Sequence, residues 1–263
     1  MRLLVVADIH YALKQYDWLV EVAGDFDALF IVGDLLEIAS SVPLPAQVVV
    51  VRSYLEKLSG RTRVLVCSGN HDLTEPDAAG ERVAHWIPPL GEIDVISDGA
   101  HTHIGDALVS VLPWWDGEGA RERIGRQLEQ AAALRTDGWI WLHHAPPSDS
   151  VTAWSGKRHY GDTYLRDWIG VYKPDAVFSG HVHQAPFVQN GSWVDLVDET
   201  WVFNMGQQPG DAPAHIIYDG AAQEAAWFSI AGAETVRLTA PPAPAPGLPD
   251  WIKAVDRPSV GAS

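Results

Sequence analysis

The sequence predicts an α/β fold built from two mixed β-sheets packed face to face, with helices on the outside. Two observations carry this prediction. Short β-prone apolar runs alternate with stretches of helical periodicity, and each half of the chain then changes to closely spaced turn dipeptides. The runs are continuously apolar, which is expected of strands covered on both faces.

In chain order, Leu3–Ala7 (LLVVA) is the first such strand, too short for a signal-peptide core or a membrane span. A helix is expected over Leu13–Ala23, a strand over Ala28–Val32 (ALFIV), a helix over Pro45–Leu58 and a strand over Arg63–Cys67 (RVLVC). From Ile93 to Pro113, Asp98-Gly99 and Gly105-Asp106 punctuate β-prone runs, so hairpins are expected there. The third helix, Gly119–Leu134, shows Glu122/Arg126 and Arg126/Gln130 at i,i+4 on a solvated face. Strands Trp139–Leu142 (WIWL) and Asp175–Ser179 (DAVFS) flank a helix over Asp162–Tyr172. Hairpins return over Ser192–Ile230, around the turn dipeptides Asn190-Gly191 and Asp219-Gly220. One domain is expected over residues 1–239, followed by a Pro-rich tail at 240–263 with little regular structure.

Composition narrows the function. Apolar residues at 47 % and charged residues at 20 % support a packed core and exclude disorder or coiled coil. A net charge of −16 weighs against loose attraction to nucleic acid or to an anionic membrane. Cys67 is the only cysteine, so an internal disulfide and zinc-finger-type sites are excluded, and a reducing cytoplasmic setting is expected.

Each buried strand is followed at once by metal-binding residue types. These are Asp8-Ile9-His10, Gly33-Asp34, Gly69-Asn70-His71-Asp72, His143-His144 and Gly180-His181-Val182-His183. Ligands gather at the carboxyl ends of parallel strands, so the five groups should converge in one crevice. The glycines before Asp34, Asn70 and His181 fit turns where backbone passes close to bound groups. Two carboxylates, one amide oxygen and four imidazoles form a mixed O/N donor set suited to Mn²⁺, Fe, Zn²⁺, Co²⁺ or Ni²⁺. Seven ligands exceed the needs of one small ion, and a dinuclear centre with a shared carboxylate accommodates them.

The ordered blocks D-x-H, G-D, G-N-H-D, a lone His and G-H-x-H resemble those of the calcineurin-like metallophosphoesterases, over about residues 1–206. The resemblance implies a four-layer αββα sandwich. It implies one metal held by Asp8, His10, Asp34 and His183, and a second held by Asp34, Asn70, His143 and His181, with Asp34 bridging. His143 is preferred to His144 because it directly follows the strand. Two divalent transition-metal ions are expected, Mn²⁺ or Fe first, with Zn²⁺, Ni²⁺ or Co²⁺ also suitable. A bridging hydroxide would attack phosphorus, His71 would stabilise charge or protonate the leaving oxygen, and Asp72 would orient His71. The expected partner is a small phosphate ester, with phosphodiesters favoured by analogy with the G-N-H-D form. Phosphomonoesterase or nuclease action, and an inert scaffold on the same fold, are the alternatives. The phosphate-binding arginines of the protein-phosphatase blocks are missing from Gly33–Ala39 and Ser68–Asp72, which rejects that branch.

The remaining features read more plainly. His101 and His103 are solvated strand residues, His85 and His215 packing or surface histidines, and Glu37 a helix-start residue, with a supporting place behind the metal ligands as the alternative. Of the 12 tryptophans, Trp18, Trp139, Trp141 and Trp168 belong to the core, while Trp114, Trp115 and Trp154 could line a substrate pocket. Lys157, Arg158 and His159 lie in the one compact basic loop, which is either solvated or a lid over the substrate phosphate.

Overall fold

The computed structural model describes residues 1–135 and 137–240, so residues 241–263 of the expected tail lie outside the description. The first half runs β1 (Arg2–Val6), α1 (Leu13–Val22), β2 (Ala28–Val32), α2 (Leu44–Ser59) and β3 (Arg63–Cys67). A two-residue hairpin follows, β4 (Glu75–Pro76) with β5 (Arg82–Val83), and then β6 (Val95–Ser97), β7 (His101–Ile104) and β8 (Ala107–Val111). The second half contains α3 (Glu118–Ala132), β9 (Gly138–Leu142), α4 (Thr163–Tyr172) and β10 (Ala176–Ser179). It ends with β11 (Val194–Val197), β12 (Thr200–Asn204), β13 (His215–Asp219), β14 (Glu224–Ser229) and β15 (Gly232–Arg237).

Two large sheets result. One is seven-stranded, in the order β15-β14-β13-β1-β2-β3-β6, and the other six-stranded, in the order β11-β12-β10-β9-β8-β7. Each has a parallel heart, β1-β2-β3-β6 in the first and β8-β9-β10-β12 in the second, flanked by antiparallel strands. The alternation of side chains explains the layers. Leu3, Val5, Phe30 and Leu65 meet Val109, Ile140, Phe178 and Phe203 in a core between the sheets. Leu4, Val6, Leu29 and Ile31 turn the other way, onto Tyr16 and Leu19 of α1 and Val51 and Leu55 of α2. Trp139, Trp141 and Val177 bury against Ile124 and Leu128 of α3 and Leu165 and Ile169 of α4. The sandwich is therefore helix, sheet, sheet, helix, as expected. Among the described residues no helix is long and apolar enough to cross a membrane.

One expected hairpin is absent. Asp98-Gly99 does not fold β6 back onto β7; β6 pairs in parallel with β3, and the dipeptide carries the chain across to the second sheet. The physical reason is that the edge of β3 would otherwise be unpaired, and Asp98 locks the crossing by accepting the Ser68 backbone N–H at 2.9 Å. The Gly105-Asp106 and Asp219-Gly220 turns do join hairpins, whereas Asn190-Gly191 precedes β11 without a strand before it.

Candidate metal centre

The loops after β1, β2, β3, β9 and β10 all leave from the carboxyl ends of parallel strands, and their side chains meet at that edge. The backbone is strained where they meet. Asp8, His10, Asp34 and His181 all have positive φ, between 46° and 64°, a region costly for residues with a Cβ. Three glycines make room for them. A Cβ at Gly33 would collide with the His144 ring, one at Gly69 with Asp34 Oδ1, and one at Gly180 with Asp8 Oδ2.

Two donor groups result, sharing Asp34. The first is Asp8, His10, Asp34 and His183; the second is Asp34, His144 and His181. In the first, His183 Nε2 lies 3.2 Å from Asp8 Oδ1, and His10 Nε2 lies 3.0 Å from His183 Nε2 and 3.7 Å from Asp34 Oδ2. In the second, His144 Nε2 lies 3.1 Å from Asp34 Oδ2, and Asn70 Oδ1 lies 2.9 Å from His181 Nδ1. Backbone donors orient the carboxylates. His181 N–H donates to both Asp8 oxygens at 3.1 Å, and His71 N–H to Asp34 Oδ1 at 2.8 Å.

Here the structure corrects the expectation for His143. Side chains along β9 alternate: Ile140 and Leu142 face the other sheet, Trp139 and Trp141 face the helices. His143 keeps the parity of Trp141, and its Nε2 lies 3.5 Å from Asp162 Oδ2 at the start of α4. His144 keeps the parity of Leu142 and reaches Asp34. Its Nδ1 donates to the Val32 carbonyl at 2.7 Å, so the neutral ring presents its lone pair on Nε2.

The electrostatics call for positive charge. Asp8 and Asp34 are each 1 % exposed. Burial pushes both carboxyls up, but neighbouring imidazoles outweigh it and hold both below the usual carboxylate range. Burial pushes the His144 ring down, yet Asp34, Asp8 and the Val32 carbonyl carry it up to about 9. His181 is pushed down to about 4 by burial and by His144, so its lone pair is free near neutral pH. His144 Nε2 is also a buried nitrogen with no hydrogen-bond partner. An orphaned imidazole nitrogen beside two buried carboxylates fits a bound cation, and the mixed O/N donors fit a transition metal.

Asp72 does not orient His71. It is fully buried; Oδ1 accepts the Leu35 and Leu36 N–H groups at 3.0 Å and Oδ2 the Gly69 N–H at 2.8 Å, clamping the β2 loop to the β3 loop. Burial and the Asp34 charge push its carboxyl up to about 8. The carboxylate that approaches His71 is instead that of Glu37, a loop residue ahead of α2 and not a helix start. Its Oε1 lies 3.4 Å from His71 Nδ1 and its Oε2 3.4 Å from His10 Nδ1. Buried Gln47 of α2 grips the Glu37 backbone on both sides, at 2.8 Å to its N–H and 2.9 Å to its carbonyl.

Of the expected substrate residues, Trp114 lies beside the cluster, its ring 5.0 Å from that of His181. Trp154 is buried, donates to the Gln189 carbonyl at 3.0 Å and packs on His159, so both brace their loop. Lys157 and Arg158 are exposed, and no described contact joins either to the donor cluster. His85 is exposed, and His215 packs between Trp18 and Phe228.

Fold and site together define a phosphoesterase class: the chain belongs to the calcineurin-like phosphoesterase family, whose model matches residues 1–185. Among solved structures it is similar to the Thermus thermophilus protein TT1561, at 15 % identity and a TM-score of 0.55, over 90 % of this chain and 98 % of that one. It is also similar to the purple acid phosphatase PPD1 from seeds of yellow lupin (Lupinus luteus), at 15 % identity and a TM-score of 0.53. That match covers 93 % of this chain and 52 % of PPD1. At such identities the likeness speaks for the fold alone. None of the curated proteins compared matches the chain.

Proposed function

We propose that the chain is a metal-dependent phosphoric ester hydrolase acting on small phosphate esters, with diesters favoured. The observation that carries this is the pair of donor groups meeting on Asp34. Asp8, His10, Asp34 and His183 would hold one divalent ion; Asp34, Asn70, His144 and His181 would hold the other. Mn²⁺ or Fe suits the donor set best, and Zn²⁺, Ni²⁺ or Co²⁺ is accommodated by the same atoms. Such a pair, when bound, supplies a nucleophile from water near neutral pH and neutralises charge on the phosphoryl group.

The chain's own residues do the rest. The Val32 carbonyl fixes the His144 tautomer, and the His181 N–H holds Asp8 in place. Half-buried His71, oriented by Glu37 Oε1 3.4 Å from its Nδ1, passes a proton from Nε2 to the leaving oxygen when its ring is cationic, a state that burial makes harder to reach. The preference for diesters rests on the G-N-H-D form alone. The same reading puts the enzyme in the cytoplasm, where the buried Cys67 thiol stays reduced.

Metal analysis of the purified chain, with turnover of bis- and mono-p-nitrophenyl phosphate, tests the proposal. Two ions per chain and faster diester cleavage are expected. No turnover with Mn²⁺, Ni²⁺ or Co²⁺ from mildly acidic to alkaline pH refutes the enzyme reading in favour of an inert scaffold. A faster monoester refutes only the diester preference.

A further inference from the structure

The flank of the donor cluster bears on the organic group of the ester. Past β8 the chain reads Leu112-Pro113-Trp114-Trp115. The Trp114 backbone N–H donates to Ser68 Oγ at 2.9 Å, which pins this turn against the end of β3. Its indole lies 5.0 Å from the His181 ring and 5.7 Å from the His144 ring, in contact with the donor cluster. Trp114, with Trp115 and Tyr160, lines a cavity of about 390 Å³. That volume falls within the ~300–1,000 Å³ typical of small-molecule sites.

The aromatic walls are held firmly. Trp115 Nε1 donates to Asp162 Oδ2 at 2.5 Å, its ring meets that of Tyr164 edge-on at 5.8 Å, and the Arg121 guanidinium lies 5.6 Å from it. Tyr160 is 49 % exposed, on a loop whose backbone is tied back by its N–H to the Ala153 carbonyl at 3.0 Å. Two half-buried indole residues and an exposed phenol thus border one cavity on the flank of the donor cluster, and such side chains offer flat apolar surface to a ring. The carboxylates lining the cavity are already engaged. Asp162 Oδ1 caps α4 through the Tyr164 and Leu165 N–H groups, its Oδ2 holds Trp115, and Asp116 accepts the Arg82 N–H at 3.0 Å. Asp162 therefore has no oxygen left to read the polar edge of a base, and exposed Asp116 has one of its two committed.

We infer that this cavity receives an aromatic organic group of the ester, a nucleobase or a plain aryl ring, by stacking with little discrimination between rings. The inference rests on the phosphoesterase reading above and names its substrate class. Stacking on such surfaces tolerates any flat ring, because every ring offers a π-face.

Calorimetric titration of the full chain loaded with Mn²⁺ tests this with phenylphosphonate and methylphosphonate, which share a head group and resist hydrolysis. Phenylphosphonate is expected to bind about ten-fold more tightly, a typical gain for one stacked ring. Tyr160→Ala and Trp115→Leu should each erode that advantage while leaving methylphosphonate unchanged. Adenosine and uridine 5′-methylenephosphonates should bind within about three-fold of each other, as stacking without edge readout requires. Equal binding of the two simple phosphonates overturns the subsite and leaves the metal centre standing. Strong preference for one base overturns the stacking mode. Methylphosphonate that fails to bind overturns the metal-centred reading, and the subsite with it.

Discussion

The pair His143 and His144 offers the sharpest test, because neighbours of identical chemistry face opposite sides of one strand. His144→Ala removes the Nε2 that lies 3.1 Å from Asp34 Oδ2, and with it one donor of the second group. Loss of an outer partner of a ligand already costs roughly 10- to 100-fold in metal affinity, so loss of the ligand itself should cost at least about 100-fold. Metal content should fall from two ions per chain to one, and turnover should fall with it. The Val32 carbonyl also loses its donor, worth about 1–3 kcal/mol for a buried group left unsatisfied. His143→Ala instead opens a void beside Asp162 and lowers stability by a similar ~1–3 kcal/mol, a drop of some 2–10 °C in a chain of this size. It should keep both ions. Elemental analysis by mass spectrometry, bis-p-nitrophenyl phosphate turnover and thermal melts separate the variants. If His143→Ala empties the site while His144→Ala retains two ions, the parity argument for β9 is wrong.

Three further outcomes follow from other contacts. Glu37→Gln should retain both ions and slow esters with poor leaving groups by about ten-fold or more, sparing nitrophenyl esters, because it weakens the proton on His71; an equal effect on both esters counts against the orienting role. Gly69→Ala brings a Cβ onto Asp34 Oδ1 although its φ of −112° suits any residue, so metal content should fall with only a modest loss of stability, ~1–3 kcal/mol. Burial pushes the Asp98 carboxyl up to about 6 from 3.8, so the folded state holds its proton longer than the unfolded one. Its contribution to stability is therefore complete below about 3.8 and is lost as pH rises through about 6. Denaturant titrations of Asp98→Asn should show a shallower decline over that window than the parent chain; parallel curves would remove Asp98 as the source.

The parallel strands were legible because covering both faces of a strand leaves an unbroken apolar run, as in Ala28–Val32, buried along its whole length. β6 was not, since three residues ending in serine look like a hairpin arm, and only the vacant edge of β3 decides their partner. The donors on Asp8, His10, Asp34, Asn70, His181 and His183 were marked by strand ends and glycines. The choice at His144 needed parity, and the signal was present: Trp139 and Trp141 marked the helix-facing set to which His143 belongs. Glu37, not Asp72, stands beside His71 for a different reason. The left-handed turn at Asp34, with φ of 52°, swings the next residues around, so sequence spacing no longer tells which carboxylate meets His71.

Asp8, Asp34 and Asn70 leave the first sheet, while His144, His181 and His183 leave the second. An ion lodged among them would belong to neither half and would rivet one to the other along a shared rim. Chelation would then do more than silence such a chain. It would loosen the seam between its halves, so that the cell's mineral supply and the lifetime of the folded molecule become one variable.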